Sequence, residues 1–137
     1  MGRRGQISLE YLIVVAFVVF AVIIILGISI FYTSSAQDHI KISQLSAFAK
    51  KITTSAESVF YSGEPSKVTV TAYLPEGVEN FQAISDNLVF TIGTSSGTST
   101  IAFKSDVPLG TVTFSLNEGV KRLVISAGAD DVDVLQS

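Results

Sequence analysis

The chain has 137 residues, 47% of them apolar and 15% charged, with a net charge of −3 and a mean hydropathy of +0.50. No basic patch offers a surface to nucleic acid. With no Cys and only His39, disulfides, thiolate zinc sites, cysteine nucleophiles and multi-histidine metal sites are excluded. The apolar residues are concentrated. From Tyr11 to Tyr32, 20 of 22 residues are apolar, Gly27 and Ser29 being the exceptions, and none is charged.

As a helix, this run is about 33 Å long at roughly 1.5 Å per residue, matching a ~30 Å hydrocarbon layer. Its β-branched content suits a strand in water, but 22 residues are too many for one. In lipid a lone segment satisfies its own backbone only as a helix. Arg3 and Arg4 precede it, and no positive excess follows. The N-terminus is therefore expected in the cytoplasm and the C-terminal hundred or so residues outside. Ser34-Ser35-Ala36 has the form of a small-residue cleavage site, but the apolar run is too long for an ordinary secretory signal.

The front edge carries a second pattern. Met1-Gly2-Arg3-Arg4-Gly5 is a short basic leader ending in Gly, and Gln6-Ile7-Ser8-Leu9-Glu10-Tyr11 follows without a gap. A Gln-x-Ser-x-Glu-Tyr segment directly before an apolar helix resembles the class III signal peptide of archaeal type IV pilin-like proteins. The resemblance covers about 30 residues closely, and the remainder only in architecture. It implies cleavage between Gly5 and Gln6 by a prepilin peptidase recognising Arg3, Arg4, Gln6, Ser8, Glu10 and Tyr11. It further implies an assembly ATPase, a membrane platform protein and identical subunits as partners. The helix then stays on the mature subunit, first in the membrane and afterwards in an extracellular filament.

Glu10 stands out on physical grounds as well. It is the only charge between Arg4 and Asp38, and it abuts the spanning run. A carboxylate in an apolar setting is costly unless paired or protonated. At a membrane surface it is an interfacial residue favoured near a helix N-terminus. In the pilin resemblance the equivalent Glu helps to align subunits, with the free amine of a neighbour's Gln6 as counter-charge. Cyclisation of Gln6 would remove that charge.

Beyond Tyr32 the composition turns polar while the helical period persists. Leu45, Phe48, Ala49, Ile52, Ala56, Val59 and Phe60 form one apolar stripe, with Lys41, Lys50, Lys51 and Glu57 on the solvent side. Ser62-Gly63 and Pro65 stop it. One helix is predicted over about residues 7–61, on the order of 80 Å long. Gly27 reads as a tolerated helical glycine, and His39 as an exposed histidine rather than a pH-sensitive contact.

From Lys67 the period switches to two. Strands are predicted at 67–74, 88–92, 100–104, 111–116 and 120–126, with 78–84 weaker and 132–135 as an edge. Residues 93–99 read as a flexible hairpin loop. The expected fold is α+β, a long N-terminal helix packed on a small antiparallel β-sandwich or curled-sheet head. Its parts are a leader (1–5), an apolar helix (6–32), an amphipathic continuation (33–61) and a β-rich extracellular head (62–137).

The head carries no Ser-His-Asp set, no glycine loop before a helix and no base–nucleophile pair, so neither an enzyme nor a cofactor is expected. Asp130-Asp131-Val132-Asp133 reads as a solvated acidic face rather than a calcium site, although Asp131 and Asp133 share a strand face. Asn-x-Ser/Thr sequons are absent, and the 29 Ser and Thr residues are largely those of strand exteriors. The expected function is a structural filament subunit serving adhesion. The alternatives are a single-span anchored β-domain binding a ligand or envelope protein, an archaeal flagellin, or a minor pilin.

Overall fold

The computed structural model describes Gly2–Ser137, with side chains from Arg4 onward. A helix, α1, runs over Gly2–Ser62. Seven strands follow: β1 (Lys67–Leu74), β2 (Val78–Ile84), β3 (Asn87–Thr94), β4 (Gly97–Lys104), β5 (Leu109–Thr113), β6 (Gly119–Ala127) and β7 (Val132–Gln136). The chain divides after Gln37 into two units.

The first unit is helix alone. Among its described residues the large apolar side chains are all exposed, from Val15 at 41% to Phe31 at 76%. The helix starts earlier than expected, because nothing in Gly2–Gln6 forbids helical geometry and Gly5 meets no neighbour within 4 Å. Where the composition turns polar, Thr33 and Ser34 donate their hydroxyl hydrogens to the Ser29 and Ile30 carbonyls. Those side chains are thereby satisfied within the helix itself.

The second unit is the helix from Asp38 with two sheets. The first sheet has the order β1-β6-β7-β5, the second β2-β3-β4. The stripe predicted from helical period is the helix's inner face. Leu45, Ala49, Ile52 and Ala56 are fully covered, Phe48 and Val59 nearly so, and Phe60 packs at the margin. They join Ala72 and Leu74 of β1, Leu88, Phe90 and Ile92 of β3, Leu123 and Ile125 of β6, and Val132 and Val134 of β7 in one core. At its centre Phe48, Phe81, Phe90 and Phe114 meet at ring-centroid separations of 4.7–6.3 Å, the spacing that favours aromatic pairs. The helix stops at Gly63, whose positive φ of 74° suits a residue without Cβ and whose N–H donates to the Phe60 carbonyl.

The fold is α+β as expected, with four local differences. The first sheet is mixed, because β5 runs parallel to β7 while the other pairs are antiparallel. Alternation within a strand is the same for either direction, so the sequence carries no sign of it. Strand β7 lies inside that sheet rather than at its edge. Residues 93–99 are mostly ladder, with Thr94 opposite Gly97 and only Ser95 and Ser96 in the turn. Their Ser, Thr and Gly content reflects an exposed hairpin end, not a lack of pairing.

Residues 114–116 alternate in burial but lie outside the ladder. Phe114 and Leu116 pack on the core, while the Ser115 N–H donates to the Gln136 side-chain oxygen at 2.7 Å instead of to a strand. Period-two burial reports packing, which here is separate from backbone pairing. The weaker candidate at 78–84 is a full strand.

Lys121 occupies an inward position of β6 and is only 6% exposed; its ammonium donates to Ser115 Oγ at 2.7 Å. Its aliphatic stem fills space that a hydrophobe of similar length can fill. Lys121→Met should therefore keep the unfolding free energy within about 1 kcal/mol. Ser115→Ala should lower it by about 1–2 kcal/mol, since it leaves the ammonium short of an acceptor. Urea unfolding checks both, and a much larger loss in Lys121→Met would point to a charge-dependent role for the amine.

Candidate assembly surface

The residues singled out by the leader pattern lie on the first turns of α1. Arg4, Gly5, Gln6, Ser8, Glu10 and Tyr11 are helical and exposed; the Arg3 side chain lies outside the described residues. The Gly5–Gln6 bond therefore sits in helical backbone, where any cleavage would need local unwinding. A helix end supplies that readily, since terminal turns lack part of their hydrogen bonding. Among the described residues Glu10 makes no ion pair. Six positions separate it from Arg4, which puts the two on different helix faces.

One helix near the N-terminus is long and apolar enough to cross a membrane, and none of its apolar stretch is buried. Gly27 has open space around it, as a tolerated helical glycine would. The surface from Tyr11 to Tyr32 is thus an uncharged, almost wholly apolar cylinder, broken by Gly27 and Ser29 and preceded by the Glu10 carboxylate. Such a surface is stable in lipid or against other helices.

In the head unit, two side chains read as solvent-side turn toward the sheets. Lys51 Nζ donates to the Thr71 carbonyl of β1 at 2.5 Å, and Lys41 pairs with Glu76 at 2.9 Å. Asp38 receives the Ser95 N–H at 3.1–3.2 Å and also its hydroxyl. The Ser95 hydroxyl, then its backbone N–H, hold the Asp38 carboxyl below the ordinary carboxylate range against the opposing cost of burial. The hydrogen bond to Glu76 raises the Lys41 ammonium above the ordinary lysine value. No sequence signal marks these pairs, because their partners lie in turns distant along the chain. His39 is exposed.

An open groove of about 420 Å³ runs between the helix and β1, lined by Gln44, Ala47, Phe48, Lys51, Thr71, Ala72 and Tyr73. It holds no nucleophile–base pair, and Lys51 is already engaged. Asp131 and Asp133 do share a face and converge on Gly110, where an added Cβ would lie 2.5–2.7 Å from their oxygens. Asp133 accepts the Thr111 N–H at 2.7 Å, so one carboxylate serves the β5–β7 junction. Among the described residues no three His, Cys, Asp or Glu side chains are grouped to hold a metal ion. Comparison with known proteins gives no match to a family model, a curated protein or a solved structure.

Proposed function

We propose that the chain is the structural subunit of an extracellular surface filament of the archaeal type IV pilin-like kind, serving adhesion. One observation carries this reading. A helix whose apolar side chains are uncovered throughout Tyr11–Tyr32 carries, on the turns just before that run, Gly5 and the Gln6-x-Ser8-x-Glu10-Tyr11 segment. An uncovered cylinder of that length needs lipid or partner helices. The motif supplies a means of passing from the first to the second, since cutting at Gly5–Gln6 discards Arg3 and Arg4. Those are the charges that hold the N-terminus on the cytoplasmic side.

In this scheme the helix resides in the membrane until an assembly ATPase and platform protein draw it into a bundle of identical helices. Lipid tails are as apolar as the helix, so packing fit and polar alignment at Glu10 favour the bundle more than hydrophobicity does. The head units then form the outer, adhesive surface.

The N-terminal mass of the protein, from membranes and from sheared surface filaments, tests the proposal. A chain beginning at Gln6 in both fractions is the expected result. A start at Gln37 would instead mean a secretory signal, and a start at Met1 a permanent single-span anchor.

A further inference from the structure

The first two helical turns of the head unit are attached differently from the rest. From Leu45 onward the helix is held by buried apolar side chains. Before Leu45 no helix side chain of this unit is fully buried: Ile42 is half-buried, outside the core cluster, and Ile40 is 56% exposed. What holds this stretch is Asp38 on Ser95 and Lys41 on Glu76, three residues apart on one helix face.

Their partners sit on two turns, the β1–β2 turn (75–77) that links the two sheets and the β3–β4 turn (95–96) of the three-stranded sheet. These turns are themselves joined, the Gly93 N–H donating to the Gly77 carbonyl at 2.8 Å. One helical turn therefore closes on both sheets at the same end of the head.

We infer that Asp38–Gln44 is a releasable clasp, closed on the two hairpin turns by charged side chains and able to open while the core from Leu45 onward stays folded. Exposed charge-assisted bonds have low individual cost of breaking, whereas the Leu45–Val59 stripe opens only with the core. Opening frees seven residues, about 10 Å of helix at ~1.5 Å per residue.

The charged and titratable groups around the clasp are His39 and Lys41 on the helix, Glu76 on the β1–β2 turn, Glu79 beside Gly93 on the sheet, and Glu118 before β6. The sign of each tie follows from its shift. The depressed Asp38 carboxyl gives a tie fully present above the ordinary carboxylate range and lost as pH falls through its lowered value. The raised Lys41 ammonium gives one fully present below the ordinary lysine range and lost as pH rises through its raised value. The clasp is closed around neutrality and opens toward acid or strong base.

Because the chain has no Cys, spin labels can be placed cleanly at Ile40→Cys and Ser96→Cys in the full chain in detergent. A control pair at Ala47→Cys and Thr100→Cys reports the anchored core. Near neutrality both pairs should give narrow distance distributions. Adding Asp38→Ala with Lys41→Ala should broaden the clasp pair about twofold or more and leave the control pair unchanged. An unchanged clasp pair would overturn the inference. So would a control pair that broadens equally, since the clasp would then be inseparable from the fold. Acidification of the otherwise unaltered labelled chain should broaden the clasp pair before the control pair; simultaneous broadening would overturn acid release. Filament formation plays no part in this readout.

Discussion

A fragment beginning at Lys67 should fail to fold, while one beginning at Asp38 should unfold cooperatively. Among the described residues the core has 17 buried apolar side chains, of which Leu45, Phe48, Ala49, Ile52, Ala56 and Val59 come from the helix. Burying a Leu, Ile, Val or Phe side chain contributes about 1.5–3 kcal/mol, and total domain stabilities are only about 5–15 kcal/mol. Losing four such side chains and two alanines removes a sum comparable to the whole. It also uncovers Leu74, Leu88, Phe90 and Ile125, on the inner faces of both sheets. Circular dichroism on heating decides the matter. A sharp, reversible transition in the Lys67–Ser137 fragment would show that the sheets are self-sufficient.

The second large effect concerns assembly. Glu10 is one of six residues in the recognition pattern, and the other five remain in Glu10→Ala. That variant should therefore leave leader removal largely intact and, in the proposed filament, block or weaken assembly. In a bundle of apolar helices the carboxylate persists only with a partner, for which a neighbour's Gln6 amine is the available counter-charge. Deleting one member of such a buried pair costs about 3–5 kcal/mol, more than a hundredfold in an association constant. In the proposed filament, replacement by Ala would strand the amine of every subunit in the same way. The ratio of sheared filament to processed membrane subunit, measured on whole cells, is the readout. Filaments at the normal yield from Glu10→Ala would refute the alignment role.

How much of this was legible in the sequence varies by the kind of interaction. The Leu45–Phe60 stripe was read from spacing alone, because a helix face repeats locally and its burial needs no knowledge of the partner. The same holds for β1, where Ala72 and Leu74 face in while Thr71 and Tyr73 face out. Partner choice was not legible. The parallel β5–β7 contact depends on which strand reaches the gap beside β6, and Val132 and Val134 alternate identically at an edge or in the interior. Lys121 showed the limit of hydropathy. It lies in phase with Leu123 and Ile125 on the inner face of β6, but its charge hid the match. The Gln6–Tyr11 segment was legible as a pattern of residue types. The clasp was not, since Asp38 and Ser95 are 57 positions apart.

The position of β7 sets an order on how the head can form. β5 precedes β6 in the chain but bonds only to β7, the last strand to emerge. Until Val132–Gln136 arrives, β5 has no neighbour, and β6 presents an open edge on the side away from β1. Such long-range closure is slow compared with hairpins, and waiting strands are prone to pairing with other molecules. For a chain delivered N-terminus first, the β2-β3-β4 meander is complete well before the four-stranded sheet. The five residues of β7 thus act as a keystone, and the head is most exposed to mispairing just before they are set.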